Sequence, residues 1–250
     1  MPSNAMVAVC DVLGFGDYVK NHSLDDAITY IKLIQNLSID SILKGYTPEG
    51  DVRKYVGYVS FSDTIVLYSL EDNSISFDHL ILTVFRILAA SMFHPQYRFR
   101  IGISYGEFHF DNREQIYVGK ALVDAHELER KQKWCGAALS QMAFEQVRRE
   151  PREIYLMKYN VPLKNEKHEE YNVINWTLAR HDVISAEHFI KRNYTSPLTE
   201  QEEKIEYKLK KTEQFHTDVC IQCRKFRKST VNVAPHNPVK RFIKFLLCKR

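Results

Sequence analysis

Residues 6–18, MVAVCDVLGFGDY, carry the pattern from which the fold can be predicted. The apolar, β-branched run from Met6 to Val12 predicts a buried strand. Asp11 lies near its end, Gly14 and Gly16 break the pattern, and a helical pattern follows. A carboxylate is a good ligand for a hard cation, and backbone N–H groups at a glycine turn before a helix can approach phosphate. The stretch indicates a metal ion beside a polyphosphate, although an aspartate there is more often a cap or turn residue.

A second aspartate, Asp63, interrupts an apolar hairpin pattern over residues 54–70, KYVGYVSFSDTIVLYSL. The alternation of side chains predicts two strands with Phe61–Asp63 at the bend. A carboxylate inside such an apolar hairpin needs a partner charge or a bound cation. Two aspartates, one after a strand and one at a hairpin tip, are the minimum for a two-metal phosphoryl-transfer site.

The composition is that of one globular domain with an extension. The chain has 250 residues, of which 44% are hydrophobic and 26% charged, and a net charge of +4 does not demand a nucleic-acid partner. The five cysteines, an odd and scattered number, indicate a reducing compartment. Neither a signal peptide nor a membrane-spanning run is evident, so we expect a soluble, cytoplasmic protein.

The remaining periodicity predicts the order β α β β α β β α β α β β. We expect a helix with Ile28, Ile31, Ile34 (or Leu33) and Leu37 inward. A second helix opens at Ser76 with Leu80, Ile81, Val84, Ile87 and Leu88 on its buried face, and a charged helix covers residues 118–133. Predicted strands include residues 97–105, a partner at 107–110, and 153–159. Adjacent hairpins mixed with helices favour an α+β fold, in which helices cover a mixed, mostly antiparallel sheet.

Four short motifs, taken in order, resemble the class III nucleotidyl cyclases. They are Asp11 with Leu13-Gly14-Phe15, then Phe61-Ser62-Asp63, then RIGISYGE at 100–107, and GKAL at 119–122. The likeness spans roughly residues 5 to 180 and is closer to the pyrimidine (uridylate or cytidylate) cyclases of bacterial Pycsar anti-phage defence. It implies a ferredoxin-like palm and attack of a ribose 3′-hydroxyl on the α-phosphate of the same nucleotide. It also implies a homodimer with composite active sites, each completed by the facing protomer.

The resemblance assigns roles to individual residues. Asp11, Asp63 and the backbone carbonyl of Val12 would hold two divalent cations, Mn²⁺ or Mg²⁺. Phosphate-binding candidates are the backbone of the glycine turn and two lysines: Leu13, Gly14, Phe15, Gly16, Lys120 and Lys164. An exposed lysine is usually only a solvated charge, and that alternative stays open for both lysines.

Base selection departs from the purine-cyclase pattern. The positions that read a purine edge in those enzymes hold Val59 and about Ile116, neither of which offers a hydrogen-bonding group. Tyr58 is the candidate that fills the space above a smaller pyrimidine, or else it is an ordinary core or surface tyrosine. The Asn and Arg of purine cyclases are absent near residues 123–127, and Arg100 is expected in an ion pair with Glu107 or Glu129.

These features predict a uridylate cyclase that makes 3′,5′-cyclic UMP and pyrophosphate from UTP. The alternatives are a cytidylate cyclase, an adenylate cyclase, a catalytically silent nucleotide-binding dimerisation module, and an RNA-binding protein acting through a basic tail. The resemblance implies a role in anti-phage signalling through a separate effector protein that the cyclic nucleotide activates. No DNA partner is expected.

The chain divides into four predicted segments. Residues 1–5 are assigned to a linker or cloning residues, 6–180 to the cyclase catalytic domain, 181–220 to a helical extension and 221–250 to a basic tail. A capping box at 199–202 opens the extension, with Ile205, Leu209, Thr212 and Phe215 on one face. For the tail, a solvated or dimer-packing role is favoured over contact with RNA or a membrane.

Overall fold

The computed structural model describes residues 3–36, 46–47, 50–93, 97–179 and 200–229. Its strands are β1 (Ser3–Val12), β2 (Tyr46–Thr47), β3 (Gly50–Asp51), β4 (Val56–Phe61), β5 (Thr64–Ser69), β6 (Phe99–Asp111), β7 (Ile116–Val118), β8 (Gly136–Leu139), β9 (Leu156–Pro162) and β10 (His168–Ile174). Its helices are α1 (Phe15–Asn21), α2 (Leu24–Leu33), α3 (Ser74–Phe93), α4 (Lys120–Lys131), α5 (Gln141–Gln146), α6 (Arg149–Tyr155) and α7 (Glu200–Ser229), with 3₁₀ turns at Val52–Lys54 and Trp176–Ala179.

The centre of the molecule is an eight-stranded mixed sheet. Seven strands follow the order β4-β5-β1-β6-β8-β10-β9, and β7 pairs with β6 beyond this path. β6 and β8 run parallel, and the other pairings of this sheet are antiparallel. The predicted α+β fold with a mixed, mostly antiparallel sheet under helices is therefore confirmed.

The two faces of the sheet are covered by different helices. Along β1, Met6, Ala8 and Cys10 join the large core that also contains α3, while Val7 and Val9 pack with α4. This split follows from the alternation of side chains along a strand. Gly102 of β6 lets α4 cross closely, since an added Cβ atom would lie 2.1 Å from the carbonyl oxygen of Ala125.

Helix α3 is the apolar helix of the core. The expected inward residues Leu80, Ile81, Val84, Ile87 and Leu88 are all fully buried. By length and composition alone, Ser74–Met92 would qualify as a membrane span, which corrects the expectation that the chain contains no such run. Because 78% of its most apolar window is buried within the fold, the helix is explained by packing, and length with composition is weak evidence for a span.

Helix α7 docks against the segment before β8, against β9 and against the 3₁₀ turn at Trp176–Ala179, through an aromatic cluster. Phe215 lies 5.0 Å from the ring of Trp134 and 4.8 Å from that of Tyr159, between ring centroids. The face predicted for this helix is confirmed, because Ile205, Leu209, Thr212 and Phe215 are buried. The helix runs on to Ser229, so the predicted boundary at 220 falls inside it, while Thr199 of the capping box and the tail from 230 lie outside the described residues.

Three local predictions were wrong. Residues 3–5 are not a linker, since Ser3–Val12 forms β1 and Ala5 pairs with Gly106. Residues 107–110 continue β6 and do not form a partner strand, because the neighbouring strand β7 supplies the hydrogen bonds on that edge. The start of the strand predicted at 153–159 is the end of α6, whose Pro151 lies in the first turn, where a helix needs no N–H donor.

The inward face predicted for α2 is confirmed in part, because Ile34 is buried and Ile31 and Leu33 pack against the core. Ala27 and Tyr30 are buried there, whereas Ile28 is 42% exposed. Tyr30 stacks on Phe15 at 5.9 Å between ring centroids, and this contact with α1 sets the rotation of α2. Leu37 lies outside the described residues.

Candidate active site

The sheet brings the two predicted metal-binding aspartates to one end of neighbouring strands. Asp11 of β1 pairs in register with Thr64 of β5, and Asp63 directly precedes Thr64 in the turn between β4 and β5. Ser62 takes a φ of 56° in this two-residue turn. The tight hairpin therefore holds the Asp63 carboxylate next to the strand that ends at Asp11 and Val12.

Arg100 links Asp11 to the helix that crosses the sheet. Its Nη2 atom donates to Oδ2 of Asp11 at 3.0 Å, and its Nε atom donates to Oε1 of Glu129 on α4. The guanidinium and the Glu129 carboxylate are both buried, with side chains 8% and 3% exposed. Of the two ion pairs considered from the sequence, the one with Glu129 is confirmed. Arg100 thereby fixes one oxygen of the Asp11 carboxylate.

The site carries more negative charge than Arg100 compensates. Burial raises the pKa of Asp11 to about 6, with the charge of Glu129 adding to the effect, Arg100 opposing it, and Asp63 contributing in the same direction as Glu129. Burial also raises the pKa of the Asp63 carboxyl. A divalent cation between these carboxylates would remove the repulsion that disfavours their charged forms.

The donor set fits Mg²⁺ or Mn²⁺ held jointly with substrate phosphates. Mg²⁺ in proteins is usually bound through one or two carboxylates together with phosphates and water. Among the described residues, no group of three or more His, Cys, Asp or Glu side chains is placed to hold a metal. Asp11 and Asp63 would therefore need further oxygens, from a backbone carbonyl such as that of Val12 and from a bound nucleotide.

The predicted phosphate loop is only partly free to bind a ligand. Gly14 adopts a left-handed conformation with φ 80°, and α1 begins at Phe15 without a side-chain cap. The N–H of Leu13, however, already donates to the Arg98 carbonyl at 2.9 Å. Leu13 therefore cannot offer its N–H to a phosphate, which corrects its predicted role, while Gly14 to Gly16 stay candidates.

Two lysines lie in the electrostatic neighbourhood of Asp11. The pKa of Lys164 is lowered by burial and then by Arg100, and Asp11 opposes the shift. The pKa of Lys208, on α7, is lowered in the same way by burial and by Arg100. Lys164 was predicted from the sequence, but Lys208 was missed. The signal for it was the helical spacing to Thr212, which places both residues on one face of α7.

The candidate base contacts are distributed over both faces and both ends of the sheet. Phe61 pairs with Thr64, which pairs with Asp11, so these three side chains lie on the same face of the sheet. Because side chains alternate along β4, Val59 shares this face with Phe61, and Tyr58 lies on the opposite face. The structure thus does not bring Tyr58 together with Asp11.

The other two predicted contacts are remote from Asp11 within one chain. Ile116 pairs with Asp111, at the far end of β6 from Arg100, about 35 Å along an extended strand. Lys120 is exposed at the start of α4. Within one chain, the structure therefore brings neither residue together with Asp11.

A cleft of about 460 Å³ lies between the end of α4 and the β9–β10 turn. Neither Asp11 nor Asp63 lines it. Its lining residues are Glu127, Arg130, Lys131, Leu163, Lys164, Asn165 and Glu169. Lys164 is the residue that the cleft shares with the electrostatic neighbourhood of Asp11.

No protein-family model matches this chain, and no curated protein matches it. Solved structures do match. The catalytic core of a rhodopsin-guanylyl cyclase with converted specificity, in complex with ATPαS, is 15% identical with a TM-score of 0.55, over 70% of this chain and 96% of the other. The protein has the class III cyclase fold.

Two further structures support the same fold. The adenylyl cyclase CyaB from P. aeruginosa is 13% identical with a TM-score of 0.50, over 70% of this chain and 95% of that one. The guanylyl cyclase Cya2 is 12% identical with a TM-score of 0.50, over 70% of this chain and 91% of that one. At these low identities, the structural likeness shows the fold alone.

Proposed function

We propose that this protein is a pyrimidine-nucleotide cyclase that converts UTP to 3′,5′-cyclic UMP and pyrophosphate. The observation that carries the proposal is the placement of Asp11 and Asp63 at one end of neighbouring strands. Burial raises the pKa of Asp11 to about 6, and the charges of Glu129 and Asp63 act in the same direction, so a bound cation would favour the charged carboxylate. The class III cyclase fold supports this assignment.

The chain would hold the cations through Asp11, Asp63 and the carbonyl of Val12. Two bound divalent cations, Mn²⁺ or Mg²⁺, would supply a lowered pKa of the ribose 3′-hydroxyl and neutralisation of the phosphates. Arg100 orients the Asp11 carboxylate through its hydrogen bond at 3.0 Å. Gly14 to Gly16 and the two candidate lysines, Lys120 and Lys164, would contact the phosphates.

The preference for a pyrimidine rests on two side chains. Val59 and Ile116 occupy the positions where the resemblance expects a purine-reading group, and neither can hydrogen-bond a base edge. Because Ile116 and Lys120 are remote from Asp11 within one chain, the proposal includes a homodimer in which the partner supplies them. Tyr58, on the other face of β4, has no place in this arrangement.

The biological setting follows from the resemblance alone. We propose a cytoplasmic signalling enzyme of anti-phage defence whose cyclic nucleotide activates a separate effector protein. Contact of the basic tail with RNA, and likewise with a membrane, is not part of the proposal.

The test is a product assay. Purified protein is incubated with Mn²⁺ and, separately, with ATP, GTP, CTP and UTP, and the products are identified by mass. We expect cyclic UMP from the wild type, no product from Asp63→Asn, and an unchanged yield from Asp25→Asn, an exposed aspartate in the first turn of α2. A cyclic CMP peak alone would mean that the protein is a cytidylate cyclase, and a cyclic AMP peak alone that it is an adenylate cyclase.

One observation favours a catalytically silent nucleotide-binding module as the second candidate. Oδ2 of Asp11 is already paired with Arg100, and the guanidinium group competes with a metal ion for the carboxylate. In a silent module, all four nucleotides would give no cyclic product, while a nucleotide would still bind and raise the melting temperature. The two candidates are thus separated by turnover in protein shown to be folded and dimeric.

A further inference from the structure

Helix α7 brings a lysine to the edge of the Asp11 site. Oγ1 of Thr212 accepts a hydrogen bond from the Cys135 backbone N–H at 2.8 Å. Cys135 precedes Gly136, which pairs in register with Arg100. Lys208 lies one helical turn before Thr212, whose hydroxyl also donates to the Lys208 carbonyl at 2.8 Å. These contacts place Lys208 one turn of α7 away from the start of β8, where Gly136 pairs with Arg100.

The surroundings of Lys208 differ from those of the other lysines on this helix. Lys204 and Lys210 are exposed and pair with Glu200 and Glu206, at 2.5 and 2.8 Å. Lys208 is half-buried beside Leu209, and within the part of the chain that the structure describes its ammonium group has neither an ion-pair nor a hydrogen-bond partner. Such a group is costly to bury unless something else neutralises it.

The charges around Lys208 identify what would neutralise it. Besides burial, Arg100 and Lys164 act on it as like charges, while Cys135 and Asp11 act in the opposite direction. Asp11 and Glu129 are already engaged by Arg100. Lys164 and Lys208 therefore lie next to a site that would also hold divalent cations. Together these positive charges would attract a compact polyanion.

We propose that Lys208 binds the polyphosphate of the nucleotide, so that helix α7 is part of the active site. An ammonium group binds phosphate as a compact point charge, whereas the neighbouring guanidinium of Arg100 is used to hold carboxylates. The nucleotide as ligand rests on the proposed function, but the phosphate contact itself is independent of turnover.

The test compares Lys208→Gln and Lys208→Met with Lys210→Gln, which removes the same charge from an exposed position of the same helix. Binding of inorganic tripolyphosphate with Mg²⁺ is measured by titration calorimetry, and KM for UTP is measured with Mn²⁺. We expect both Lys208 variants to weaken tripolyphosphate binding and raise KM by about 10- to 100-fold, the loss typical of one charged hydrogen bond. Lys208→Arg should recover part of the affinity, and Lys210→Gln should match the wild type.

The two readouts separate the possible failures. If the wild type makes no cyclic nucleotide but its tripolyphosphate affinity depends on Lys208, the proposed function fails and the phosphate contact stands. If the wild type turns over UTP and the folded Lys208 variants keep Kd and KM within about twofold, the contact is overturned and the cyclase proposal stands. An equal loss in Lys210→Gln would also overturn it, because the effect would then be one of net charge.

Discussion

Replacement of Asp11 by Asn is expected to stabilise the metal-free protein while removing its activity. Burial, together with the charges of Glu129 and Asp63, raises the pKa of this carboxyl, so the folded state disfavours its charged form. An amide of nearly the same shape carries no charge and can still accept a hydrogen bond from Arg100. The substitution therefore removes the cost of burying this charge and its repulsion with Glu129 and Asp63, and it also removes a candidate metal ligand.

The magnitude follows from the pKa of the carboxyl. The interval between the ordinary value of 3.8 and about 6 corresponds to about 3 kcal/mol, at about 1.36 kcal/mol for each pH unit. The Asp11 side chain is 29% exposed, so solvent screening reduces the expected gain to about 1–3 kcal/mol. Because the folded-state pKa is the higher one, the favourable contribution of this carboxyl is present below pH 3.8 and is lost as the pH rises through 6.

Urea unfolding followed by tryptophan fluorescence measures this effect, since Trp134 and Trp176 are both buried. At pH 8 the free energy of unfolding of Asp11→Asn should exceed that of the wild type, and the gap should narrow at pH 5. Asp25→Asn serves as the control and should change neither value. Addition of Mn²⁺ should stabilise the wild type and leave the variant unaffected. A variant less stable than the metal-free wild type at pH 8 would refute the reasoning.

Three further changes test how the site is supported. Gly102→Ala should destabilise the fold by about 2 kcal/mol or more in urea unfolding, because its Cβ would lie 2.1 Å from the Ala125 backbone oxygen and α4 would have to move. An unchanged urea midpoint would contradict the close crossing of α4 over β6. Phe215→Ala should cost about 3–5 kcal/mol and expose Trp134 to acrylamide quenching, whereas unaltered quenching would mean that α7 is not docked as described. Burial raises the pKa of the Cys10 thiol, so it should resist a disulfide reagent at pH 8 until the protein unfolds, and rapid labelling of native protein would contradict its burial.

The order of the main elements could be predicted because hydrophobic periodicity is a local property. The run ending at Asp11, the hairpin at Asp63 and the inward face of α3 all follow from the alternation or helical spacing of neighbouring residues. The predictions of secondary structure were wrong where a distant strand decides whether a segment pairs. Residues 3–5 are a strand because β6 is long enough to pair with them, and no local signal reports the length of a distant strand.

The candidate site was predictable only in part, for the same reason. Sequence alone predicted Asp11 and Asp63 as candidate metal ligands, because carboxylates in apolar strands are conspicuous, and the structure places both at one end of neighbouring strands. It also identified the ion pair of Arg100 with Glu129 as one of two options. It could not place Tyr58 on the face away from Asp11, since a one-residue change of register moves a side chain to the other side of a sheet.

The placement of Lys208 depends both on local sequence periodicity and on tertiary packing. The sequence determined that residues 205–215 form one face of a helix, because that periodicity is contained in the helix itself. Only the tertiary structure decided that this face lies against the start of β8, through the hydrogen bond between Thr212 and Cys135, next to the residue that pairs with Arg100. Residues separated by 77 positions are brought together by packing, and the role proposed for Lys208 rests on that long-range contact.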